Sequence, residues 1–337
     1  MPKHPWFLPN HTSPHLNWRK ECFVGTSSAK QALRLEESGR PGLALQVQRA
    51  GATRAADARS GDVVYVHGGT FGADLSVFYR FDGQSWADRL NEAGFDVWGI
   101  DFAGYGNSDR YAQGDARPAG RLDEVLPQLR RALAAVRARN GDRPVALIAH
   151  SWGGAVAARY AGTYPQDVKA LVLFAPIVAR TPSATVLSTA PLPSHHSLTM
   201  LAQYRRFVED VPRGRPQVLD EAQFLAWGAQ FLATDSAAGK RLPPAVVLPF
   251  GPVADIGASW SGHALYDPSL IRAPVLLVRG EWDSLCTDDD AGRLLAGLGS
   301  QDKAYAKVGT STHLMHLESQ RTVLHNSVNA FLERAMR

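Results

Sequence analysis

The strongest chemical signal in the chain is a serine set between a short apolar run and an alanine-rich stretch, Ile148-Ala149-His150-Ser151-Trp152-Gly153-Gly154. A strand that turns abruptly into a helix strains its corner residue. It therefore needs small residues two positions before and two after, and Ala149 and Gly153 supply them. A hydroxyl on such a corner is lifted off the sheet toward a cleft. The free N–H groups and dipole of the helix N-terminus behind it favour the negative charge that builds up in acyl transfer. The plainer reading is a serine that only caps the helix, which would require nothing elsewhere in the chain.

Three further groups supply what a nucleophilic serine needs. His67-Gly68-Gly69-Thr70-Phe71-Gly72 follows an apolar run, and glycines there let the backbone approach a bound carbonyl and direct N–H groups at it. The amides of Gly69 and Trp152 are the expected oxyanion hole, with Thr70 the alternative to Gly69; His67 is read as structural. Leu276-Leu277-Val278-Arg279-Gly280-Glu281-Trp282-Asp283 ends a late apolar run on an acid able to orient an imidazole and stabilise its protonated form. Asp288, Asp289 and Asp290 read instead as charge complementing the start of a helix, and Asp101 as a turn stabiliser. Thr312-His313-Leu314-Met315-His316-Leu317-Glu318 offers two histidines. His313, on the loop side, is favoured as base over His316, which falls at an apolar helix start; His150 is expected to pack beside the serine.

The elements that must hold these groups alternate short apolar runs with helical patterns, as in a mostly parallel sheet covered on both faces. Strands are expected in 41–50, as part of a hairpin, and at 63–66, 95–100, 144–148, 169–174, 273–278 and 304–308. Helices are expected at 85–94, 153–164 and 319–336, and in the stretch where Leu122, Val125, Leu126, Leu129, Leu133 and Val136 recur at three- and four-residue steps. The alternation stops between about 179 and 268, a stretch rich in proline that carries Tyr204, Phe207, Phe224, Trp227, Phe231, Phe250 and Trp260. It is too long for a loose loop and reads as a mainly helical inserted cap, 179–268, over the C-terminal edge of the sheet. The core domain is then 1–178 and 269–337. The aromatic residues of the cap suggest an apolar or aromatic substrate portion, and no charged residue in the cap stands out as a specificity anchor. Residues 1–40 are open to a contribution to the cap or an oligomer contact.

Composition bounds the classes of function. The 337 residues are 45% hydrophobic and 20% charged, which is globular rather than disordered. The net charge of +4 is scattered, without a basic block interleaved with aromatics, so nucleic-acid binding gains no support. Two cysteines, Cys22 and Cys286, make no disulfide framework or metal clip and fit a reducing cytosol. No apolar run is long enough to span a membrane. The expectation is a cytoplasmic protein acting on a small-molecule substrate, with homo-oligomerisation left open.

With these four motifs in order, the chain resembles the α/β-hydrolase family over about 61–180 and 270–335, particularly its capped members: prolyl iminopeptidases, esterases, lactonases and carbon–carbon bond hydrolases. The order Ser151, Asp283, His313 is the one expected for that fold. The resemblance implies an eight-stranded, mostly parallel α/β-hydrolase sheet with helices on both faces, a Ser-His-Asp triad, an oxyanion hole and no cofactor or metal. Related dehalogenases and epoxide hydrolases carry aspartate where this chain has Ser151. Trp152 also follows the nucleophile in iminopeptidases, whose Gly-Gly-Pro-Gly turn is here Gly-Gly-Thr. The expected activity is hydrolysis of an ester, lactone or thioester of a small hydrophobic substrate. An aminopeptidase or amidase is the alternative, as is a lyase, acyltransferase or cofactor-free oxygenase on the same scaffold. A non-catalytic binding protein would be expected to lack an intact triad.

Overall fold

The computed structural model describes residues 30–35, 43–52, 60–114, 116–181 and 191–337. Cys22, Pro182 and residues 1–29 of the unassigned N-terminal stretch therefore lie outside the described residues. In chain order the strands are β1 (Gln31–Leu35), β2 (Leu45–Ala50), β3 (Gly61–Val66), β4 (Phe95–Asp101), β5 (Val145–His150), β6 (Val168–Phe174), β7 (His195–Thr199), β8 (Ala245–Pro249), β9 (Val275–Gly280) and β10 (Lys303–Val308). Eight of them form one sheet in the order β1-β2-β4-β3-β5-β6-β9-β10. The pairs β1–β2 and β2–β4 are antiparallel and all others parallel, so the hairpin expected near 41–50 closes one edge.

The longer helices are α1 (Trp86–Glu92), α2 (Leu122–Arg137), α3 (Ser151–Thr163), α4 (Met200–Val208), α5 (Glu221–Ala233), α6 (Gly251–Trp260), α7 (Asp288–Gly297) and α8 (Arg321–Ala335). Successive strand residues point to opposite faces, and a sheet covered on both sides needs apolar residues at every position. Val64, Val66, Leu147, Ala149, Leu171 and Leu277 bury against Leu129 and Leu133 of α2 and Ala155 and Val156 of α3. Their neighbours Val63, Tyr65, Ala146, Ile148, Val172 and Val278 bury on the other face against Leu90 of α1 and Leu324, Val328 and Leu332 of α8. Ser85 opens α1 with a capping box to Asp88, and Thr287 opens α7 with one to Asp290, satisfying amides that a helix start otherwise leaves bare. The last long helix starts later than its apolar pattern suggests: Met315–Leu317 is a single 3-10 turn, and His316 sits there rather than at a helix start.

The segment that interrupts the alternation holds α4, α5 and α6, and also a two-stranded antiparallel sheet of β7 and β8, so it is less uniformly helical than its sequence suggests. It sits over loops that leave the C-terminal ends of the strands. Trp227 of α5 donates through Nε1 to Leu75 O at 3.0 Å, beyond β3. Gly251 N donates to Ala119 O at 2.8 Å, beyond β4. Ser319 N donates to Val218 O at 3.0 Å, beyond β10. Among the described residues no helix is long and apolar enough to cross a membrane.

One contact fixes how α3 leaves the sheet. A Cβ on Gly153 would overlap the carbonyl oxygen of His67 and lie 2.9 Å from that of Val66, because α3 starts against the end of β3. Gly153→Ala is therefore expected to destabilise the fold by about 1–3 kcal/mol, as overpacking does. Gly257→Ala, in the exposed middle of α6 with open space at the new methyl, is expected to stabilise by about 0.5–1 kcal/mol. Urea unfolding of both variants reads the two opposite signs.

Candidate active site

Ser151 is the first residue of α3, directly after β5, and its φ of +54° lies in the left-handed region that an L-residue occupies only under strain. The helix has no side-chain cap at its N-terminus and no acid in its first turn. Ser151 is thus not spent on capping, and first-turn amides remain for an anion. The hydroxyl instead meets an imidazole: Ser151 Oγ and His313 Nε2 are 2.8 Å apart. The other ring nitrogen, Nδ1, stands 3.0 and 3.1 Å from Oδ1 and Oδ2 of Asp283. A carboxylate there accepts a hydrogen bond from Nδ1–H, which leaves Nε2 free to accept from the serine. Asp283 Oδ1 is held in turn by the amides of Leu285 (2.9 Å) and Cys286 (3.0 Å). All three groups are buried, at 6%, 3% and 2% exposure, so their mutual contacts are little screened by water.

The turn after β3 lies against this corner. A Cβ on Gly68 would sit 3.2 Å from Ser151 Cβ, and one on Gly69 would sit 2.9 Å from Pro252 of α6. Both peptides flanking Gly69 are pinned through their carbonyls: His67 Nδ1 donates to Gly68 O at 2.6 Å, and the Tyr105 hydroxyl donates to Gly69 O at 2.9 Å. His67 Nε2 accepts from Phe102 N at 3.1 Å, so both ring nitrogens are engaged in structure. Burial lowers its pKa to about 4, which keeps it neutral. Asp101 accepts from the amides of Ala73 (2.8 Å) and Asn107 (3.2 Å), tying together the loops after β3 and β4; burial pushes its carboxyl up to about 6.

The rival residues are occupied elsewhere. Asp288 pairs with Arg279 and Lys307, while Asp290 pairs with Arg180 and Arg293 and closes the cap of α7. His316 stacks on Phe71 with ring centres 6.1 Å apart, and burial drives its pKa down to about 3. His150 stacks on Phe174 at 4.6 Å and donates through Nε2 to His313 O at 3.1 Å; burial holds it well below the usual histidine range.

Several residues near the site carry no recognisable sequence signal. Trp152 is fully buried and donates through Nε1 to Asp255 of α6 at 3.0 Å. The same carboxylate accepts from Leu122 N at 2.7 Å, at the start of α2, and from Arg121 Nε. Glu318 is 1% exposed and clamps the residue before His313, taking Thr312 N at 3.0 Å on Oε2 and meeting Thr312 Oγ1 with Oε1. In the inserted segment the part-buried Arg206 leaves its Nε unpartnered, whereas the sequence offered no charged anchor there. Burial of an acid or cation depends on what the rest of the chain places around it, which local spacing does not record.

Comparison with known proteins fits this arrangement. Residues 62–320 match the family model described as alpha/beta hydrolase fold, most of the chain. The chain belongs to the alpha/beta hydrolase fold family. It is 22% identical over 266 residues to a putative monoglyceride lipase of Schizosaccharomyces pombe, a match covering 77% of this chain. The match spans only 64% of that relative's length. The thioesterase domain from the curacin biosynthetic pathway superposes with a TM-score of 0.60 at 15% identity, covering 90% of this chain and 99% of that one. The monoacylglycerol lipase of Paleococcus ferrophilus gives 0.58 at 18% identity, covering 86% and 99%. At these identities the superpositions establish the fold.

Glu318 gives the site a pH dependence whose sign can be worked out. Burial raises its carboxyl from 4.5 to about 7, against the opposing hydrogen bonds from Thr312. A raised acid favours the fold in its protonated form; that contribution is complete below about pH 4.5 and is lost as pH rises through about 7. Glu318→Gln keeps a polar partner for Thr312 without the titration. Relative to wild type, the variant should therefore gain up to about 3 kcal/mol between pH 5 and pH 8. Urea unfolding at both pH values measures this, and a constant difference between the two proteins would refute it.

Proposed function

We propose that the protein is a serine hydrolase cleaving an ester-type bond (ester, lactone or thioester) of a small, largely hydrophobic substrate through an acyl-enzyme. The observation that carries this reading is the chain of contacts from Ser151 Oγ through His313 to Asp283, at 2.8 Å and 3.0 Å, on a strained strand-to-helix corner. In the first step His313 Nε2 takes the hydroxyl proton as Ser151 Oγ attacks the substrate carbonyl. The charge left on the carbonyl oxygen falls to the amides of Trp152 and Gly69. The trans peptide sets each N–H opposite its C=O, so the bond from His67 to Gly68 O directs the Gly69 N–H away from His67. In the same way the bond from Tyr105 to Gly69 O fixes the Thr70 N–H. His313 then gives its proton to the leaving oxygen or sulfur. A water, deprotonated by the same ring, releases the acid and restores the serine.

The segment containing α4, α5 and α6 would act as a cap over the nucleophile, with the aromatic wall of Phe71, Phe207 and Trp227 receiving the apolar part of the substrate. The relatives named as lipases and a thioesterase support an ester-type bond in preference to an amide.

Fluorophosphonate labelling tests the nucleophile. The folded wild-type chain should acquire one covalent adduct, on Ser151, and turn over p-nitrophenyl esters. Ser151→Ala or His313→Ala should each lower turnover by on the order of 10³- to 10⁶-fold, and the serine variant should not label. A folded wild-type protein that takes up no label, or a Ser151→Ala variant with full activity, would overturn the reading.

A further inference from the structure

Helix α4 carries polar groups that the protein itself does not satisfy. Gln203 is completely buried, yet neither its Nε2 nor its Oε1 has a hydrogen-bond partner. Arg206, three residues on and hence on the same side of the helix, has a buried Nε with none either. His196 on β7, through its Nε2, is a third residue with such an atom. Buried polar atoms are nearly always paired, so three orphans close together call for an external partner.

Their position relates them to the nucleophile. The charge of Arg206 acts on His196, on Tyr105 and on His150, three groups from separate elements. Tyr105 holds the Gly69 carbonyl and His150 immediately precedes Ser151. Phe207, next to Arg206, meets Trp227, which in turn meets Phe71 of the turn after β3. Burial lowers the Arg206 pKa, and Glu209 and Asp210, just past the end of α4, oppose that effect.

We propose that Gln203, Arg206 and His196 form a subsite for a carboxylate carried by the substrate. The guanidinium would take the anion, while the Gln203 amide and the His196 ring would complete its hydrogen bonds. This deepens the hydrolase reading and rests on it: the preferred substrate is an ester whose acid or alcohol portion ends in a second, anionic carboxyl group, with an apolar stretch between. A site built around such donors rejects a neutral analogue strongly, because the analogue leaves them buried and unpaired.

The experiment compares monoethyl and diethyl esters of succinic, glutaric and adipic acids on the full chain. Wild type should favour at least one monoester over its diester by about tenfold or more in kcat/KM. Arg206→Leu and Gln203→Leu should each reduce that ratio, chiefly through KM, with Arg206→Lys keeping more of it than Arg206→Leu. Arg205→Leu, at the exposed neighbouring position, should leave the ratio as in wild type. Calorimetry with free succinate, glutarate and adipate on folded Ser151→Ala protein gives a readout that needs no turnover: one site is expected, lost on adding Arg206→Leu. The subsite is overturned if wild type shows no monoester preference, if Arg206→Leu lowers mono- and diester turnover equally, or if none of the three dianions binds. A chain that binds a dianion but neither labels with fluorophosphonate nor cleaves any ester would keep the subsite and overturn the hydrolase reading instead.

Discussion

The site depends on the closeness with which the turn from β5 into α3 passes the end of β3. No side-chain atom fits between Gly153 and the His67 carbonyl, so the start of α3 and the glycine turn that follows β3 are brought into one place. The cost appears at Ser151, whose left-handed backbone is worth roughly 1–3 kcal/mol of strain for a non-glycine residue. Register on both sides holds the corner. Ala149 pairs with Val66 and Leu173, and His150 with Phe174, so β5 cannot relax without disturbing two buried neighbours. The Ser151 hydroxyl is thereby held on a corner with little orientational freedom.

Around that corner the protein uses burial to keep most titratable side chains uncharged. His67, His150 and His316 all have depressed pKa values because water is excluded from them, and His150 and His316 lie side by side with ring centres 4.6 Å apart. Of the three, His67 engages both ring nitrogens in hydrogen bonds, His150 donates to the His313 carbonyl, and His316 contributes ring contacts. His313 differs in having a carboxylate on one nitrogen and a hydroxyl on the other, the arrangement in which Nε2 can take and return a proton while the carboxylate steadies the ring. With so little water nearby, a charge forming at the serine would be felt strongly by the fixed amides beside it.

What the sequence disclosed follows from how each feature is encoded. Ser151 and Asp283 stand at the ends of strongly apolar strands and His313 beyond the half-exposed β10, and the topology of a parallel sheet brings such ends to one edge whatever the intervening loops do. Their meeting was therefore legible from strand spacing and chain order. The hairpin strand β1 was not: Gln31–Leu35 is mostly exposed, and only Leu33 and Leu35 alternate toward the core, too short a run to stand out. Strands β7 and β8 were masked by proline, since Pro243, Pro244 and Pro249 crowd the second of them. Asp255 and Glu318 were invisible as site residues for another reason. Each is an acid on an otherwise ordinary stretch, and its importance comes from partners that only the folded chain assembles, 103 residues away in the pairing of Asp255 with Trp152. Arg206 and Gln203 are harder still, because what marks them is a missing partner.

The inserted segment is joined to the core by two kinds of contact, and the difference bears on how a cleft can be both fixed and adaptable. At α6 the attachment is polar and directional: Asp255 receives the Trp152 indole, the Leu122 amide and Arg121, and Pro252 sits against Gly69. Shifting α6 would leave a buried carboxylate short of donors beside the nucleophile, which is costly. At α4 and α5 the attachment is largely aromatic, through Phe207, Phe224, Trp227 and Phe71, with hydrogen bonds from Trp227 to Leu75 O, from Tyr79 to Gln223 O and from Gln223 to Asp82. Apolar contacts of this kind lose little energy when they slide and repack with volume conserved. The polar contacts at α6 hold Trp152 and the turn after β3, while α4 and α5 join the core mainly through aromatic rings. A family sharing one nucleophile corner can in this way vary its substrates without rebuilding the corner.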